Sequence, residues 1–187
     1  KRKLRGNEIA MIVQNPMTAF NPLYTVGNQV IETFIENMRI SKKEARDLAI
    51  KSFEKMNLKN SKEILKKYPH ELSGGMLQRI IIGITIFLKP YLIIADEPTT
   101  AVDSLNQREI IEEFLKMKRE LNTSMIFITH DLGVLSKVAD DIIVMNKGEI
   151  IEYGSKEEII LNPQNEHTKF LVDTRLKLLR KFKQIVN

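Results

Sequence analysis

The residues best suited to chemistry fall in a few short stretches. Asp96 and Glu97 close the apolar run "YLIIADE", and adjacent ionised carboxylates repel unless a cation or a hydrogen-bond network satisfies them. An Asp at a strand end can hold Mg2+ through water beside a phosphate, and an adjacent Glu can orient or deprotonate an attacking water. "HELSGGMLQR", His70 to Arg79, sets two adjacent glycines before a long apolar segment. Consecutive backbone N–H groups at a helix start, with a macrodipole contribution of roughly 0.3–1 kcal/mol, suit an anion. In isolation, Ser73-Gly74-Gly75 reads first as a helix cap and "DEP" as a solvated acidic turn. His130, beside Asp131 at the end of "SMIFITHD", is either a core histidine satisfied by a carbonyl or part of a phosphate site. Gln14 gains meaning only from its position after "EIAMIV".

Such scattered groups need a scaffold that brings them to one rim. "EIAMIV", "YLIIADEP" and "SMIFITHD" read as strands, and a helix over "LNQREIIEEFLKMKREL" joins the last two into a βαβ unit, which implies a parallel sheet with a right-handed crossover. Gln14, Asp96 with Glu97, and His130 then lie just past strand ends, where open α/β sheets bind ligands. Between Gln14 and the glycine pair, apolar periodicity predicts a helix from about Val26 to Met38. A second helix opens on the capping box Ser41/Glu44, and a shorter one over "SKEILKKYP" is expected to stop at Pro69. "MLQRIIIGITIFL" is apolar nearly all round and predicts a helix buried on several sides. A capping box at Ser104/Gln107, a hairpin over "DIIVMNKGEIIEYG", another box at Ser155/Glu158 and a basic amphipathic tail complete the reading. The tail reads as a helix docked on this protein or a neighbour, with a membrane-surface helix as the other reading.

Composition narrows the options. At 187 residues and 43% hydrophobic content the chain can bury one core, or one core and a small lobe. It has no cysteine, which excludes disulfides and thiolate metal sites and suits a reducing compartment, with cytoplasm as the default expectation. No run approaches the roughly 20 apolar residues that span a bilayer, so a membrane role is expected to pass through a partner. The net charge of +5 is modest, Trp is absent and aromatics make up 6%, so nucleic acid is not an expected partner.

Taken in order, Gln14, "LSGGM", "LIIADE", "TAVD" and Thr129-His130 make a pattern far more specific than any member. The chain resembles the nucleotide-binding subunit of an ABC transporter over about Arg5 to Phe170. "LSGGM" is similar to the family signature, "LIIADE" to the Walker B strand, "TAVD" to the D-loop, His130 to the switch histidine and Gln14 to the Q-loop. Met76 stands where the family at large usually has Gln. "NPMTAFNPLYTVGNQV" and "NPQNEHTKFLV" resemble the branch serving oligopeptide, dipeptide and nickel or metal-chelate importers.

The resemblance implies an α/β fold: a P-loop NTPase-like parallel sheet core, incomplete at the N-terminus, with a small α-helical subdomain. It implies a core start over 1–14, a helical signature subdomain with the Q-loop over 15–88, a RecA-like core over 89–162 and a helical extension over 163–187. It also implies ATP and Mg2+ as cofactors. Glu97 would be the water-polarising base, Asp96 and Gln14 would serve the metal, and His130 would contact the γ-phosphate. Ser73, Gly74 and Gly75 would meet a nucleotide held by a second ABC ATPase subunit, and Asp103 would couple the two sites. The subunit would sit at the cytoplasmic face of the membrane beside integral permease subunits. Among the eight glycines there is no GxxxxGK[ST] loop, so the chain is expected to be the C-terminal part of a longer ATPase and inactive alone. The alternatives are a degenerate subunit that lends its signature to an active partner, and a DNA-repair-type ABC ATPase. The second lacks support because 14–72 has no sustained heptads.

Overall fold

The computed structural model describes residues 8–100, 102–121 and 123–174. These fall into two compact units, Lys1–Ile128 and Thr129–Asn187.

In the first unit, strands β1 (Ile9–Ile12), β2 (Leu92–Asp96) and β3 (Ser124–Ile128) form a parallel sheet in the order β1-β2-β3. The register pairs Ile12 with Ala95 and Asp96 with Ile128, so the three carboxyl ends share one edge as the βαβ reading expected. Alternation puts Ala10, Ile12, Ile93, Ala95, Met125 and Phe127 on one face, against the core shared with α4 (Gly74–Leu88) and α5 (Ser104–Leu121). Phe127 meets Phe114 of α5 edge to face at 5.4 Å. The opposite face leaves Met11, Ile126 and Ile128 exposed.

The intervening helices follow their sequence signals closely. Helix α1 (Val26–Met38) is capped by Thr25. Helix α2 (Lys42–Lys55) opens on the Ser41/Glu44 capping box, with the Ser41 N–H donating to Glu44 Oε2 at 2.9 Å. Helix α4 buries Leu77, Ile80, Ile81, Ile82 and Ile86, each fully buried side chain stabilising by roughly 1.5–3 kcal/mol. The segment "SKEILKKYP" departs from expectation: α3 covers only Ser61–Ile64, and Pro69 opens a 3-10 turn instead of ending a helix. The carbonyls of Leu65 and Lys67 accept from the N–H groups of Gly27 and Val26 and so complete the start of α1. Gly27 has to be glycine there, since a Cβ would stand 2.3 Å from the Leu65 oxygen.

Helix α5 begins at Ser104, whose side chain lies outside the described residues; Asp103 caps the helix, accepting from the Asn106 N–H at 3.1 Å, and the Gln107 amide donates to Thr99 Oγ1.

In the second unit, Asp131 caps α6 (Leu132–Val138), an element the periodicity did not reveal. Strands β4 (Asp141–Asn146) and β5 (Glu149–Ser155) pair antiparallel around Lys147-Gly148 as expected. Ser155 and Glu158 form the anticipated capping box of α7 (Lys156–Leu161). Glu152 accepts from the N–H groups of Gln164 and Asn165 at 2.7 and 3.2 Å, holding the segment that leads into a helix over 166–174. The remainder of the expected basic tail helix, with Leu178 and Phe182, lies outside the described residues. No helix among the described residues is long and apolar enough to cross a membrane.

Candidate functional site

Sheet register brings two of the chemical segments together. Gln14 is exposed two residues past β1, and half-buried Asp96 ends the neighbouring β2. Glu97 follows with φ of 46°, a left-handed conformation that costs a non-glycine residue roughly 1–3 kcal/mol. Its N–H donates to the Ile128 carbonyl at 2.9 Å. The Thr100 hydroxyl donates to its carboxylate at 2.8 Å. The Thr100 bond satisfies part of the Glu97 carboxylate.

The glycine pair opens α4 as expected. Ser73 is its N-cap, accepting from the Met76 N–H at 3.3 Å, and is exposed. A Cβ on Gly74 would meet nothing within 4 Å, so no neighbour among the described residues demands glycine there. The open, capped helix start can receive an anion on its free N–H groups.

The structure also assigns work to residues that sequence reasoning passed over. Gln78 is fully buried, and its Nε2 donates to the Pro98 carbonyl at 3.0 Å and the Val13 carbonyl at 3.4 Å. Arg79 donates to the Gly75 carbonyl, the Met56 carbonyl and Asn106 Oδ1. Asn106 in turn donates to Asp103 Oδ2 at 2.6 Å. Hydrogen bonds thus run from the helix start to the segments holding Gln14, Glu97 and Asp103. Two adjacent polar residues inside the apolar stretch "MLQRIIIGITIFL" were the available signal.

His130 follows β3 by two residues, is exposed and lies in the second unit. Among the described residues no three His, Cys, Asp or Glu side chains cluster as a metal site. That donor set still fits Mg2+, which keeps several waters and needs one or two carboxylates when phosphates supply the rest. A cleft of about 480 Å3 lies beside the loop after β1, floored by Phe20, Val30, Ile81 and Ile84 and rimmed by Glu32 and Glu36.

Comparison with known proteins accounts for this arrangement. The model of the family described as ABC transporter matches residues 1–100. The metal-staphylopine import system ATP-binding protein CntD of Staphylococcus aureus (strain Mu50) is 43% identical over 186 residues, covering 100% of this chain and 69% of that protein. The chain belongs to the ABC transporter family. This ABC chain is also 43% identical over 170 residues to the oligopeptide transport ATP-binding protein AppD of Bacillus subtilis (strain 168), covering 91% of itself but 52% of that relative. A dimeric ATP-binding cassette solved in a post-hydrolysis state with ADP and Pi superposes with a TM-score of 0.74 at 27% identity, over 83% of the ABC chain and 66% of the cassette. The expected ABC ATPase fold, a parallel sheet with added helices, is thereby established.

Proposed function

We propose that the chain is part of the ATP-hydrolysing subunit of an ABC importer for peptides or metal chelates. Nickel is one candidate cargo. The observation that carries this reading is Asp96-Glu97 at the carboxyl end of a central parallel strand, in a chain 43% identical to importer ATP-binding proteins. Bound Mg2+ supplies charge neutralisation at the phosphates, with Asp96 and Gln14 as the residues that would hold it. Glu97 orients the attacking water and takes its proton, and its fixed backbone and the Thr100 bond limit the directions its carboxylate can sample. His130 contacts the γ-phosphate. Asp103, as cap of α5, joins the two nucleotide sites of a dimer.

Ser73, Gly74 and Gly75 serve a nucleotide held mainly by a second ATPase subunit. The unobstructed space at Gly74 supports this, because the approaching group then comes from outside the chain. Residues 15–88 act as the helical subdomain and 89–162 as the core, with 163–187 as an extension. Integral permease subunits engage the cleft floored by Phe20 and Ile81, whose acidic rim suits a basic amphipathic helix. The subunit would then work at the cytoplasmic face of the membrane.

The test uses the intact protein with its transporter partners, since residues 1–187 carry no GxxxxGK[ST] loop and phosphoryl transfer rests on positioning. Glu97→Gln is expected to abolish hydrolysis and uptake while ATP stays bound. Unchanged uptake would favour the non-enzymatic, signature-donating subunit instead.

A further inference from the structure

We infer that Gln78 is a positioning residue that links the two nucleotide sites of the working dimer, acting inside each subunit between the start of α4 and the loops that follow β1 and β2. The inference rests on the ATPase reading above.

Gln78 is an amide with no solvent exposure on a helix whose other deeply buried side chains include Leu77, Ile80 and Ile82. Burying an amide is unfavourable unless its polar atoms are bonded. Nε2 meets that demand with the Val13 and Pro98 carbonyls, whereas Oε1 has no hydrogen-bond partner among the described residues. Methionine would fill a similar volume with no orphaned acceptor, so packing alone does not call for glutamine. What glutamine uniquely supplies is one planar NH2 group holding two loop carbonyls to each other and to α4.

The identity of those carbonyls gives the link its meaning. Val13 immediately precedes Gln14, and Pro98 immediately follows Glu97. Gln78 lies four residues from Gly74, about one helical turn or 6 Å along α4. Movement of the helix start is therefore transmitted to both loops through bonds of 3.0 and 3.4 Å. In the proposed dimer the helix start serves the partner's nucleotide, while Gln14 and Glu97 serve the chain's own. Gln78 joins the sensor of one site to the water- and metal-directing groups of the other, and the expected signature is cooperativity.

The experiment measures ATP hydrolysis against ATP concentration by the intact subunit assembled with its membrane partners, for wild type, Gln78→Met and Glu97→Gln. Gln78→Met keeps the volume and removes both donors. It is expected to lower kcat about tenfold, to leave KM within about twofold and to reduce the Hill coefficient to one, with thermal stability nearly unchanged. Gln78→Asn, which withdraws the amide by one methylene, is expected to behave alike and serves if Gln78→Met does not fold. A merely structural residue would lower the melting temperature and leave the Hill coefficient intact. Wild-type hydrolysis without cooperativity, or a folded variant with wild-type kcat and cooperativity, overturns the inference and leaves the ATPase reading standing. Absence of hydrolysis in wild type, or full activity in Glu97→Gln, overturns the ATPase reading itself.

Discussion

The Thr100 hydroxyl donates to Glu97 Oε2 at 2.8 Å across a turn in which Glu97 itself has φ of 46°. A side chain three residues on therefore holds the carboxylate that a strained backbone presents. Thr100→Val removes the donor at similar volume, and kcat of the intact ATPase is expected to fall about threefold to tenfold with KM unchanged. Thr100→Ser should restore most of the rate, as steady-state phosphate release will show.

The same backbone angle separates stability from activity. Glycine tolerates positive φ, whereas alanine keeps the strain and loses the Thr100 bond. Denaturant unfolding is expected to find Glu97→Gly more stable than Glu97→Ala by about 1 kcal/mol. Neither variant should hydrolyse ATP.

Gly74 and Gly27 are expected to respond in opposite ways to alanine. At Gly74 a Cβ meets nothing within 4 Å, so Gly74→Ala should leave the melting temperature unchanged or slightly raised and yet suppress hydrolysis in the assembled dimer. At Gly27 a Cβ would stand 2.3 Å from the Leu65 carbonyl oxygen, which is backbone and cannot rotate away. Gly27→Ala is expected to cost about 1–3 kcal/mol of stability, measurable by urea unfolding.

Acid should loosen two helix starts before the core. Hydrogen bonds from the Ser41 hydroxyl and N–H hold the Glu44 carboxyl below its ordinary 4.5. The Ser155 N–H and hydroxyl do the same for Glu158. A depressed folded-state pKa means the unfolded chain binds more protons in that range, so the stabilisation is present above 4.5 and lost as pH falls through the folded value. Urea unfolding between pH 7 and 3 should show the loss beginning near the ordinary value of 4.5. Glu44→Gln and Glu158→Gln together should flatten that part of the curve.

Local chemistry was legible where neighbours in sequence are also partners in space. Ser41 with Glu44 and Ser155 with Glu158 are three residues apart and close their boxes as read. Helix α1 spans the expected Val26–Met38 because Thr25 caps it and its apolar stripe has one core to face. The reading failed at "SKEILKKYP", where the carbonyls of Leu65 and Lys67 accept from the N–H groups of Gly27 and Val26, some forty residues earlier. At α5, Asp103 accepts from both the N–H and the side-chain amide of Asn106, a double role that no spacing in the sequence announced.

By itself the sequence determined the family, the order of the elements, and the residue types at each strand end and at the start of α4. Those follow from periodicities and caps spanning a few residues, and from a run of motifs too long to arise by chance. Only the tertiary structure decided that Gln78 and Arg79 join these pieces, that Thr100 holds Glu97, and that Gly27 is pinned while Gly74 is open. The reason is physical: a buried amide or a missing Cβ acquires its role from atoms that other segments bring to it, and periodicity along one segment carries no record of them.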